Sequence, residues 1–130
     1  MKKLILIFTL LVSTVMFSSP SFAKWTKVSE GVINGRTYYV DFERIRKHGG
    51  YVYFWRLGDL LKPNKYGLLS AKAHRQGDCK LFRYKGLSYS FHKEPMGGGT
   101  GIVYNDPDKE WTYPSPNSVD ETTLKQVCSR

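Results

Sequence analysis

Trp111-Thr112-Tyr113-Pro114-Ser115-Pro116-Asn117-Ser118 leads into a short helical pattern that ends at Cys128. Pro114 and Pro116 forbid a central strand here, because proline has no N–H to give to a ladder. Ser118 begins the one convincing helix. Ser118-Val119-Asp120-Glu121 fits a capping box, in which the serine hydroxyl and the glutamate carboxylate each close an orphan backbone donor. Val119, Leu124, Val127 and Cys128 share a face of that helix. Cys79 is the chain's other cysteine, which suggests a helix stapled back onto whatever carries Cys79.

The start of the chain sets the compartment. Lys2 and Lys3 precede an apolar run from Leu4 to Phe17, and Ser21-Phe22-Ala23 offers small residues for signal peptidase. The run is shorter than the roughly 20 residues a membrane span needs. We therefore read 1–23 as a signal peptide and 24–130 as one exported domain, without a stable membrane span. Lys24, not a cysteine, stands directly after the cleavage point, so nothing supports N-terminal lipidation. Export makes one disulfide, Cys79–Cys128, the simplest use of two cysteines. The full chain carries a net charge of +9 with no long run of like charges, which describes a basic, solvated surface drawn to anionic partners. Export argues against cellular nucleic acid; lipopolysaccharide, anionic glycans and acidic host proteins fit better.

Between these ends the chain reads as strands. Trp25 to Glu30 opens the domain, Asn34-Gly35 is a hairpin signal, and Arg36 to Phe42 alternates as a second strand. Asp41 to Lys47 reads as a short turn that carries Ile45 inward and is stopped by His48-Gly49-Gly50. Tyr51 to Leu61 is apolar on both faces, with Tyr51, Tyr53, Trp55 and Leu57 on one side and Val52, Phe54 and Arg56 on the other, so it is expected at the centre of the sheet. Gly67 to Arg75 follows, with Leu69, Ala71 and Ala73 toward a core and Ser70, Lys72 and His74 toward solvent. Gln76-Gly77-Asp78 is expected as a bulge or turn, Cys79 to Tyr84 as strand, Lys85-Gly86 as a tight turn and Leu87 to Phe91 as a further strand. Pro95 to Gly101 looks like a flexible loop and Asn105-Asp106-Pro107-Asp108 like a turn. About six short strands at this spacing predict an antiparallel meander.

Catalytic chemistry is not visible. Asp78-Cys79 has the look of a papain-like nucleophile, but a second cysteine is there to oxidise it. His48, His74 and His92 are not spaced like zinc ligands. Asp106, Asp108 and Glu110 lack the glycine and terminal glutamate of a calcium loop. Gly97-Gly98-Gly99-Thr100-Gly101 lacks the lysine of a phosphate loop. We expect no enzyme, no cofactor and no metal. Aromatic residues are in excess, and one helix cannot cover both faces of such a sheet, so aromatic surface should be left for a partner.

Trp25, the run Tyr38-Tyr39-Val40-Asp41 before Ile45, Ser70-Ala71-Lys72 leading to Asp78-Cys79, and Trp111 to Ser118 before Val127-Cys128 together resemble the surface-adhesin protein E family. The resemblance covers nearly the whole exported chain. It implies an α+β fold, a single antiparallel sheet with a C-terminal helix held on one face by the disulfide. It also implies a non-enzymatic adhesin that binds host laminin, vitronectin or plasminogen, with a homodimer among the expected assemblies. The alternative is a soluble periplasmic accessory or structural protein with no host ligand. Binding residues are not a sharp motif in the family, so only Cys79 and Cys128 carry over, as a structural pair.

Overall fold

The computed structural model describes residues 23–30 and 35–130. The signal peptide read at 1–23 lies outside the described residues except for Ala23, as does Asn34 of the expected hairpin. Seven strands form one sheet: β1 (Thr26–Glu30), β2 (Arg36–Val40), β3 (Arg46–His48), β4 (Tyr51–Leu60), β5 (Ser70–Asp78), β6 (Arg83–His92) and β7 (Ile102–Tyr104). Among the described residues one α-helix, α1 (Val119–Cys128), closes the chain. Every pairing is antiparallel, in the order β1-β2-β4-β5-β6-β7, with β3 also on β4. The α+β meander expected from the sequence is therefore the fold, with seven strands.

β4 is central because both its faces are apolar. Val40, Val52 and Phe54 pack against Leu124 and Val127 of α1 to make the core, and Val28, Phe42, Ile45, Phe82 and Cys128 pad its edge. The turn after β2 explains Ile45. Asp41, almost fully buried, accepts the Glu43 amide and starts a 3-10 turn over Phe42–Arg44. That excursion carries Ile45 inward before β3 resumes the same edge of β4 that β2 had occupied.

Helix α1 begins where its cap predicts. The Ser118 hydroxyl accepts the Glu121 amide at 3.1 Å, while the Glu121 carboxylate accepts the amide of Asn117, one residue outside the expected box. Its last residue, Cys128, is bonded to Cys79, 49 residues earlier.

Five expectations between residues 67 and 101 are corrected. The bulge or turn expected at Gln76-Gly77-Asp78 is instead the end of β5, the turn comes at 79–82, and Cys79 sits in that exposed turn and not in a strand. Asp78 makes the turn: its carboxylate accepts the amides of Lys80 and Leu81 and the Arg83 Nε–H, which orders the connection without glycine. Lys85-Gly86 is not a turn but part of β6, which runs unbroken through both segments read as separate strands. Opposite it the register slips between His74↔Ser88 and Arg75↔Gly86, so Leu87 is an extra residue that switches the facing of all that follow. A Cβ on Gly86 would collide with the Tyr89 hydroxyl, which is why glycine stands there.

The loop at Pro95–Gly101, expected to be flexible, is tied down on the face away from α1. The Ser70 hydroxyl donates to the Glu94 carbonyl and accepts the Gly97 amide; the Asp59 carboxylate accepts the Met96 amide; and His92 Nδ1 lies 3.1 Å from the Gly98 carbonyl oxygen. This loop also buries Ser70, which was expected to face solvent.

Candidate binding face

Alternation along β4 sends Tyr51, Tyr53 and Trp55 to the face away from α1, where all three stay half-exposed. Register adds neighbours to that face: Arg46 and His48 from β3, His74 and Gln76 from β5, and Arg83 and Lys85 from β6. Trp55 stacks on His74 with ring centroids 4.5 Å apart, and Tyr53 tilts against the same imidazole at 6.5 Å. Farther along, Trp111 stacks on Tyr51 at 5.6 Å. Trp111 reaches this position because Thr112 forms a single bridge with Tyr84, extending the sheet beside β6. The Arg83 guanidinium and the Lys85 ammonium lie 4.3 Å and 4.8 Å from the Trp111 ring centroid. The face is therefore a strip of flat rings edged by cations, with Asp78 engaged by Arg83.

His74 is uncharged at neutral pH, because burial between the rings holds its pKa below the ordinary value. The unfolded chain takes up a proton on His74 near 6.5, before the folded protein does. Stability should thus fall as pH drops through that value and return above it. Replacing His74 with Phe should flatten this part of the profile, measured by urea melts at about pH 7.5 and about pH 5.5.

The face under α1 has a different character. Arg56 follows Val52 and Phe54 on the buried side of β4, so its charge needs a partner. Asp120, in the first turn of α1, accepts from Arg56 at 3.1 Å, from Arg75 at 2.8 Å and from the Tyr84 hydroxyl at 2.9 Å. The two guanidiniums lie over Tyr38 and Tyr84, each 4.4 Å from the ring centroid. Burial works to raise the Asp120 pKa, but the two arginines and the tyrosine hold it below its usual range. Burial and the neighbouring Arg75 lower that of Arg56. Tyr84 is pushed up to about 12, mainly by burial.

Of the residues singled out in the sequence, Cys79 and Cys128 are joined as a disulfide, so Cys79 has no thiol to act as a nucleophile. Asp108 is held by the Gly86 amide and the Tyr89 hydroxyl, and among the described residues no group of three His, Cys, Asp or Glu could hold a metal. Among the described residues no helix is long and apolar enough to cross a membrane. The Arg56–Asp120–Arg75 cluster escaped sequence reading. Its one signal was an arginine on the otherwise apolar face of a central strand.

The family described as surface-adhesin protein E matches residues 25–129. Among solved structures the chain is similar to crystal form II of Haemophilus influenzae protein E, with 17% identity, a TM-score of 0.59, and coverage of 82% of this chain and 97% of that one. The selenomethionine form of Haemophilus influenzae protein E gives a TM-score of 0.61 at 16% identity, over 86% and 92% of the two chains. At such identity the likeness is one of fold. No curated protein sequence matches significantly.

Proposed function

Because the chain belongs to the surface-adhesin protein E family over residues 25–129, we propose that it is an exported, non-enzymatic binding protein that engages host matrix or plasma proteins. Laminin, vitronectin and plasminogen are the partners to test first, with anionic glycans beside them. The protein would meet them at the cell surface, as a single domain spanning 24–130; a periplasmic location goes with the alternative of an accessory protein that has no host ligand. One observation supports the reading above the others: the strip of Tyr51, Tyr53, Trp55 and Trp111, edged by Arg83 and Lys85, on the face that α1 leaves open. Flat aromatic rings beside cations are the surface chemistry enriched where proteins bind proteins. A homodimer belongs to the same reading, and β7, with Ile102 and Val103 exposed, offers it an edge strand; sedimentation equilibrium tests it.

Binding to immobilised laminin, vitronectin, plasminogen and heparin, measured over a salt series, tests the proposal. Saturable binding that weakens with salt is expected. Lys85→Glu, which reverses a charge at the edge of the strip, should weaken it about tenfold at low salt, chiefly through slower association. The absence of saturable binding to all four at low salt would overturn the reading.

A further inference from the structure

We propose that the cleft beside α1, on the opposite face of the sheet from the aromatic strip, binds a small organic anion: a carboxylate or sulfate carried on a ring the size of a single sugar. This is independent of the adhesin reading. Helix α1 covers the Val52–Phe54 end of β4 and leaves the rest of that face uncovered, where a cavity of about 240 Å³ remains. Drug-sized ligands occupy roughly 300–1,000 Å³, so this space suits something smaller. Its floor is low because Gly58 and Ala71 are direct partners across β4 and β5, and Ala73 lies two pairs further along, on the same face. Tyr38, Tyr89 and Phe91 supply aromatic walls.

Charge selects the ligand. Arg56 and Arg75 both line the cleft and are mostly buried, with side chains 15% and 11% exposed. They share one carboxylate, Asp120, each through a single Nη1 atom. The Nε atoms of both are buried with no hydrogen-bond partner. Asp108, held by the Gly86 amide and the Tyr89 hydroxyl, forms no ion pair with either arginine among the described residues. Two desolvated guanidiniums held by one anion leave a positive charge uncompensated. An acid entering the cleft would meet donors suited to planar oxyanions. The apolar floor and aromatic walls favour a ring behind the acid over a bare inorganic ion.

Isothermal titration of the purified protein with D-glucuronate and with benzoate tests this, against the neutral methyl glucoside and benzyl alcohol. At least one acid should bind saturably at one per chain, about tenfold or more tighter than its neutral counterpart. Arg75→Gln should cost about tenfold by removing a charged donor, and Ala73→Leu should abolish binding by filling the floor. Lys85→Glu, on the other face, should leave the affinity for the acid as it is in the unmodified protein, which separates this site from the strip. In the unmodified protein the Ala71 and Ala73 methyl signals should move on titration, so the result does not depend on any variant folding. A heparin disaccharide distinguishes the source: tighter binding than free glucuronate marks a glycan end, and equal binding marks a free small acid. Equal affinity for acid and neutral compounds, no binding of either acid, or unmoved alanine methyls would overturn the proposal.

Discussion

Replacing Cys79 and Cys128 together with serine should lower the melting temperature by about 15 °C or more, read by calorimetry. The bond joins the exposed β5–β6 turn to the last residue of α1 and closes a loop with a sequence separation of 49. Closing a loop of that length removes denatured-state entropy worth about 4 kcal/mol. A domain of this size has only about 5–15 kcal/mol in total, so the loss is a large share. The double replacement is preferable to Cys128→Ser alone because it leaves no free thiol to mispair. Leu124 and Val127 remain buried against Phe54 and Val52, so the serine protein should still fold at low temperature. An unchanged melting point would mean that packing alone holds the helix.

Asp120→Ala should destabilise the protein by about 2–3 kcal/mol, a figure reduced from that of a fully buried pair because the carboxylate is partly exposed. The disulfide holds one end of α1, and Asp120 holds the other through Arg56, Arg75 and Tyr84. Without the carboxylate, two mostly buried guanidiniums face each other with no counter-charge. Adding Arg75→Gln to Asp120→Ala should recover part of the loss, which a double-mutant cycle measures. The pH dependence gives a second check. The Asp120 pKa is held below its unfolded value of 3.8, so its contribution is present above that value and is lost as pH falls through the lower folded one. Acid titration of the Ala variant should lack this component. An Asp120→Ala protein as stable as the parent would show that the cluster does not anchor the helix.

Reading the sequence succeeded where a local signal and the global fold agree. The serine cap starts α1 at Val119, and two apolar faces put Tyr51–Leu60 at the middle of the sheet. Reading failed at the glycines, because glycine reports only that a side chain is missing. Gly77 lies inside β5, where a Cβ would come within 2.9 Å of Val52 and 3.0 Å of Leu124; it makes room for the helix instead of a turn. Gly86 makes room for the Tyr89 hydroxyl. Glycines of the Pro95–Gly101 loop looked free, yet Ser70, Asp59 and His92, none of them adjacent in sequence, tie the loop to the sheet.

The candidate sites divide in the same way. That aromatic and basic residues would remain on a face no helix covers followed from composition and alternation, which are local. That Trp111 lies between Tyr51 and two cations depended on a single bridge to Tyr84. By itself the sequence determined the class of fold, the start of the helix and which side of β4 each residue takes, because these follow from local signals, the periodicities of two and of 3.6 residues and the Ser118 cap. Only the tertiary structure decided where α1 lies on the sheet. That placement rests on Gly77, Asp120 and the disulfide, contacts between residues far apart in the chain, and it leaves the arginine-lined cleft open beside the helix.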